Sequence, residues 1–138
     1  MRLVVDTNVV ISALLWEGMP KRLMKAQFSE EILFFTSIPL IAELADVLSR
    51  SKFQKKIVEA GLSVGQLIGL YAGVTNTVRP FSVPRLAPDP DDDVVIGTAL
   101  AAKADFIVTG DHGLLSVVEY EGVRILSVRE AMDRLVSA

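Results

Sequence analysis

Met1-Arg-Leu-Val-Val-Asp-Thr-Asn-Val-Val-Ile-Ser-Ala-Leu-Leu15 opens the chain, and the reading of this stretch decides the fold. Leu3, Val4 and Val5 form an unbroken apolar run rich in β-branched residues, the pattern of a strand covered on both faces. The run stops at Asp6. Thr7 and Asn8 favour a helix start, and Val9, Val10, Ala13 and Leu14 recur at helical spacing. A carboxylate therefore stands where a buried strand turns into a helix. In open α/β sheets that is the edge where ligands bind. A plain helix cap would put Asp there as well, and this stretch alone does not separate the two roles.

Further along, the same alternation returns. Ile32-Leu-Phe-Phe-Thr36 reads as a second all-apolar strand. Ser37, with Pro39 in the first turn, starts a helix running to about Arg50, on which Ile41, Leu44, Ala45 and Leu48 form the core stripe. Glu43 lies off that stripe, in line with Leu40 and Val47. Lys21 to Gln27 reads as a short amphipathic helix. Ser51 to Ala60 and Ser63 to Ala72 read as a helical pair beside one sheet edge. The first of these carries Lys52, Lys55 and Lys56, the one dense basic cluster, whose ordinary role is a solvated face. Val74 to Val78 reads as a weak edge strand, and Pro80, Pro84, Pro88 and Pro90 then exclude helix.

Asp89-Pro-Asp-Asp-Asp93 heads the apolar helix that follows. One or two Asp would cap a helix and complement its dipole. Four in five positions repel one another, and a hard divalent cation relieves that conflict. Asp105-Phe-Ile-Val-Thr-Gly-Asp111 repeats the opening pattern of strand, polar residues and Asp. Val123 to Val128 is a last strand, leading into an amphipathic helix bearing Ala131, Met132 and Leu135. Strands and helices alternating in this way imply a three-layer α/β/α fold around a parallel sheet of about five strands. In such a sheet Asp6, Glu43, the Asp91 to Asp93 run and Asp111 all reach the carboxyl edge. Crowded carboxylates of this kind either keep protons or hold Mg²⁺ or Mn²⁺.

Bulk composition bounds the rest. A length of 138 residues suits one domain spanning 1–138. The 51% hydrophobic content fits strands covered on both faces. No apolar run nears the ~20 residues of a membrane span, and no secretory signal pattern is present. With no Cys there are no disulfides or thiolate metal sites, and the default location is cytoplasmic. A net charge of −3 supplies no bulk attraction for nucleic acid, so such a function must rest on local chemistry. The lone His112 reads as a helix-start residue rather than a base.

Four ordered motifs now carry a resemblance: Val4-Val-Asp-Thr-Asn8, Ser37-xxxxx-Glu43-Leu, Asp89-Pro-Asp-Asp-Asp93 with Ala99, and Val108-Thr-Gly-Asp111. Together they span nearly the whole chain, which resembles PIN-domain ribonucleases of the kind found as toxins in prokaryotic toxin–antitoxin pairs. The resemblance implies a Mg²⁺ or Mn²⁺ site built from Asp6, Glu43, Asp92 and Asp111. Asp93 stays open as the alternative to Asp92, and Asn8 and Thr109 are supporting polar residues. It further implies hydrolysis of RNA to a 5′-phosphate and a 3′-hydroxyl, and a small antitoxin as partner. The apolar content and the segment from Lys52 to Ala72 add the expectation of a homodimer. Other readings lack their marks. An aspartyl phosphatase needs Asp where Asn8 stands, and a receiver domain needs an acidic pair near the first strand and a late Lys. A non-catalytic PIN-fold module binding RNA or a protein would lack an acidic position, and none is missing.

Overall fold

The structure is a computed structural model that describes residues 1–29 and 31–137. Its strands are β1 (Arg2–Val5), β2 (Leu33–Thr36), β3 (Asn76–Thr77), β4 (Phe106–Val108), β5 (Glu119–Tyr120) and β6 (Val123–Leu126). The helices are α1 (Thr7–Leu15), α2 (Met19–Lys25), α3 (Ile38–Leu48), α4 (Ser51–Glu59), α5 (Val64–Gly73), α6 (Pro90–Ala101), α7 (His112–Leu115) and α8 (Val128–Ser137). The sheet order is β3-β2-β1-β4-β6-β5, parallel throughout except for the β5/β6 pair.

Alternation along the strands divides the core. Leu3, Val5, Phe34, Val108 and Leu126 point to one face, where α1, α2, α5, α8 and most of α3 cover them. Val4, Phe35, Ile107 and Ile125 point to the other and pack against Val95, Ile96 and Ala99 of α6 and Leu114 of α7. Two apolar layers on one sheet explain why β1 and β4 carry no polar position in the interior.

Three expectations change. The sheet has six strands rather than about five. β5 is a two-residue strand turned back on β6 through Glu121 and Gly122, both at positive φ (46° and 86°), a twist that suits a tight hairpin. The Val74 to Val78 strand shrinks to Asn76–Thr77, because the Thr75 hydroxyl donates back to the Tyr71 carbonyl at 3.0 Å and prolongs the end of α5. On α3 the deepest positions are Leu40, Leu44 and Leu48, while Ile41 and Ala45 are half-buried. Among the described residues no helix is long and apolar enough to cross a membrane.

Candidate metal centre

Register decides what meets at the carboxyl edge. Val5 pairs with Val108 in parallel, so the residues just beyond them, Asp6 and Thr109, stand side by side. Thr109 is fully buried, and its hydroxyl donates to Asp6 Oδ2 at 2.6 Å while accepting from the Asp111 N–H at 3.0 Å. The Thr7 N–H donates to Asp6 Oδ1 at 2.8 Å, and the Thr7 hydroxyl donates to Glu43 Oε2 at 2.7 Å. Two threonines thus orient three carboxylate-bearing positions, at the β1–α1 junction, on α3 and in the β4–α7 turn. Asn8 accepts a long hydrogen bond from the Gly110 N–H, 3.4 Å, across the same edge.

Asp6, Glu43, Asp89, Asp92 and Asp111 line one cleft of about 520 Å³. Asp89 caps α6 by accepting from the Asp91 N–H at 2.9 Å. Asp93 is turned elsewhere. Its Oδ1 accepts from the N–H groups of Leu86 (3.1 Å) and Ala87 (2.8 Å). Arg85 Nε lies 3.3 Å from its Oδ2, an ionic contact poorly aligned for a hydrogen bond. Asp93 therefore clamps the proline-rich connection onto α6, and Asp92 is its neighbour in the cleft. Adjacent helical residues differ by about 100° in direction, so only one of the pair can face the carboxyl edge.

Electrostatics follow from this crowding. Burial pushes the Asp6 carboxyl up, against hydrogen bonds from Thr109 and Thr7 that lower it. Burial likewise raises Glu43, helped by the charge on Asp6. Asp92 is pushed up to about 8 by burial and by the hydrogen-bonded, negatively charged Asp111, whose own carboxyl is held below the usual range by the same shared proton. Among the described residues no three acidic or His side chains converge closely enough to clasp one ion.

The sign of the resulting pH dependence is fixed. Folded Asp92 keeps a proton that an unfolded Asp releases near ~3.9, so the folded state binds more protons between about pH 4 and 8. Stability falls as pH rises through that window. The lowered Asp111 acts only below it. In EDTA we expect the melting temperature to drop from pH 5 to pH 8, and Asp92→Asn to flatten the slope. A profile unchanged by that substitution would remove Asp92 from the cluster.

The sequence model of the PIN domain matches residues 2–113 of the chain. The chain belongs to the PIN-domain family. Among solved structures, this PIN domain is similar to VapBC2 from Rickettsia felis bound to a DNA fragment from their promoter, with TM-score 0.62, 12% identity, and coverage of 92% of this chain and 98% of that one. It is also similar to VapBC-1 from nontypeable Haemophilus influenzae (TM-score 0.59, 14% identity, 94% and 99% covered). A third similar structure is FitAcB from Neisseria gonorrhoeae (TM-score 0.56, 18% identity, 92% and 98% covered). At these identities the likeness is one of fold. Among curated proteins none matches this chain by sequence.

Other residues lining the cleft carry no mark in the sequence. Thr7 reads there as a helix-start residue, although its place directly after Asp6 puts its hydroxyl at the edge. Trp16 ends α1, while Arg50 and Phe53 sit at the N-cap and first turn of α4, and no common motif marks the three.

Proposed function

We propose that this PIN domain is a metal-dependent endoribonuclease and the toxin of a toxin–antitoxin pair. The observation that carries the reading is the convergence of Asp6, Glu43, Asp89, Asp92 and Asp111 on one cleft at the carboxyl edge of the sheet, with no Lys or Arg paired to Asp6, Glu43 or Asp111 among the described residues. Hard oxygen donors in excess, oriented by Thr7 and Thr109, suit a divalent cation in kind. Asp6, Glu43, Asp92 and Asp111 would hold Mg²⁺ or Mn²⁺, with Asp89 at the margin. When bound, such an ion ionises water near neutral pH and neutralises charge building on a phosphodiester.

The chain's own groups have definable parts. Thr109 fixes the Asp6 carboxylate and, through the Asp111 amide, the turn that presents Asp111. Thr7 ties Glu43 of α3 to the start of α1. Asp92 would hold the ion as a carboxylate, so its shared proton would have to leave, because such ligands bind metals deprotonated. His112 is exposed on α7 and takes no part. Purified protein is expected to cut single-stranded RNA with Mg²⁺ or Mn²⁺ and to stop with EDTA. Cleavage that survives EDTA would overturn the metal mechanism, and inactivity across a broad RNA panel would favour a non-catalytic binding module.

The likeness to VapBC2, VapBC-1 and FitAcB supports pairing with a small protein antitoxin. Exposed Phe28 (82%) and Leu70 (56%) flank an apolar groove of about 300 Å³ between α2 and α5, which supports a homodimer. Light scattering at tens of micromolar should give twice the 15.0 kDa chain mass, and a monomer there would refute the dimer.

A further inference from the structure

The cleft has a second half that the carboxylates leave unused. Beyond Ile11 and Val47 its wall is Trp16, Arg50, Lys52 and Phe53. Trp16 follows the last turn of α1, ten residues after Asp6, so the rise of the helix separates the two backbones by about 15 Å. One end of the cleft is acidic. The other is aromatic and cationic.

Each feature of that end has a local explanation, but their combination does not. Trp16 and Phe53 meet edge to face with centroids 6.2 Å apart, a pair that docks α4 on α1. Trp16 remains 42% exposed and so keeps part of its surface open to the cleft. Lys52 Nζ lies 5.0 Å from the Phe53 centroid and Lys56 Nζ 5.6 Å from the Trp16 centroid. Among the described residues, the Arg50 guanidinium has an exposed ionic contact to Asp46 at 3.5 Å, one turn back. Such surface pairs are weak and re-form readily. In a chain of net charge −3, two cations, Arg50 and Lys52, lining the cleft beside two aromatic rings, with Lys56 over the Trp16 ring, form a local departure from the bulk.

We propose that Trp16 and Phe53, with Arg50 and Lys52, form a subsite for single-stranded RNA. An unpaired base stacks on the exposed indole, and its flanking phosphates face Arg50 and Lys52. The strand is thereby directed toward the acidic end. The subsite deepens the ribonuclease reading and rests on it for the identity of the nucleic acid. Stacking on aromatic rings requires unpaired bases and tolerates any sequence, while cations along the groove hold the backbone. A duplex hides its base faces and does not fit. Charge complementarity favours RNA over a protein segment, because a neutral apolar peptide would leave Arg50 and Lys52 uncompensated. The arrangement also explains how an acidic protein can bind a polyanion beside its own carboxylates: the cationic end offsets what the acidic end repels.

The test uses the chain's single tryptophan as its reporter. Single-stranded RNA decamers are titrated into intact protein in EDTA, where nothing is cut, and Trp16 emission is followed. The expected result is a saturable quench with single strands and none with the matching duplex. By anisotropy of a labelled strand, Trp16→Leu should bind about tenfold more weakly, a size typical of one lost stacking partner. Trp16→Phe should recover most of the loss, because its ring still offers a face for stacking. Arg50→Glu with Lys52→Glu should weaken binding and shallow its salt dependence. An unchanged emission spectrum, or equal affinity of wild type and Trp16→Leu, overturns the subsite, as does quenching by a protein partner alone. The two readings fail separately. Quenching by single strands with no cleavage in Mn²⁺ sinks the nuclease and keeps the subsite; efficient cleavage by Trp16→Leu with unaltered KM does the reverse.

Discussion

Asp6→Asn is expected to melt higher than the wild type in EDTA and yet to cleave RNA at least about a hundredfold more slowly. Both halves come from one side chain. Asp6 is 6% exposed, and its charge is opposed by burial and by the charges on Asp111 and Asp89. Two unit charges ~4 Å apart at an effective dielectric of ~20 repel by roughly 4 kcal/mol before protonation and solvent soften it. Asn keeps the shape, and its Oδ1 can still accept from the Thr7 N–H, so the cap on α1 survives. Its amide can donate to Thr109 Oγ1 in place of the present 2.6 Å bond, at the cost of the acceptor that the buried Thr109 hydroxyl proton now has. A net gain of about 1 kcal/mol, a few degrees in Tm, is the reasonable remainder. Loss of a central anionic ligand costs more than loss of its supporting partners, which already costs 10–100-fold. Mn²⁺ should therefore raise the wild-type Tm more than that of the variant. A variant that melts lower, gains fully from Mn²⁺ and still cuts RNA would reduce Asp6 to a helix cap.

The strand-to-helix switches at Asp6 and Asp111 were legible because each ends an apolar run that can only be interior sheet, and parallel order puts both at one edge. Glu43 was legible as a carboxylate off its helix stripe. The choice between Asp92 and Asp93 was not legible. It depends on how α6 rotates under the packing of Val95, Ile96 and Ala99, and on the amides of Leu86 and Ala87, supplied by a proline-rich connection with no regular pattern. β5 escaped because two residues carry no periodicity and the turn's geometry rests on Glu121, a residue with no preference for positive φ. The aromatic end of the cleft escaped for a different reason. Arg50 and Phe53 are neighbours at the start of α4, but Trp16 joins them only through its long-range contact with Phe53, which single-chain spacing does not encode.

Gly97 is where a single methyl group should do the greatest damage to the fold. It lies on the buried face of α6, where the connection after β3 crosses the helix, and the Phe81 N–H donates to the Gly97 carbonyl at 3.0 Å. A Cβ at this position would stand 2.1 Å from the Phe81 carbonyl oxygen and 3.3 Å from its carbonyl carbon. The obstacle is backbone, so no side-chain rotation relieves it. The connection must lift, breaking its hydrogen bond, and it is the same segment that Asp93 clamps and that delivers Asp89 and Asp92 to the cleft. Overpacking costs about 1–3 kcal/mol and occasionally more, and the lost hydrogen bond about 1. Against this stands the better helix propensity of Ala, about 1 kcal/mol. At so short a distance the steric cost belongs at the top of its range, and Gly97→Ala should lose about 3 kcal/mol, on the order of 10 °C in Tm. Gly69, exposed on α5 with nothing within 4 Å of its would-be Cβ, supplies the control. There the same substitution adds helix propensity without a clash and should gain about 0.5–1 kcal/mol. Thermal melts of the two variants should thus move in opposite directions. A Gly97→Ala protein melting within a degree or two of the wild type would mean that the connection yields freely, and that α6 and its acidic first turn are not held by it.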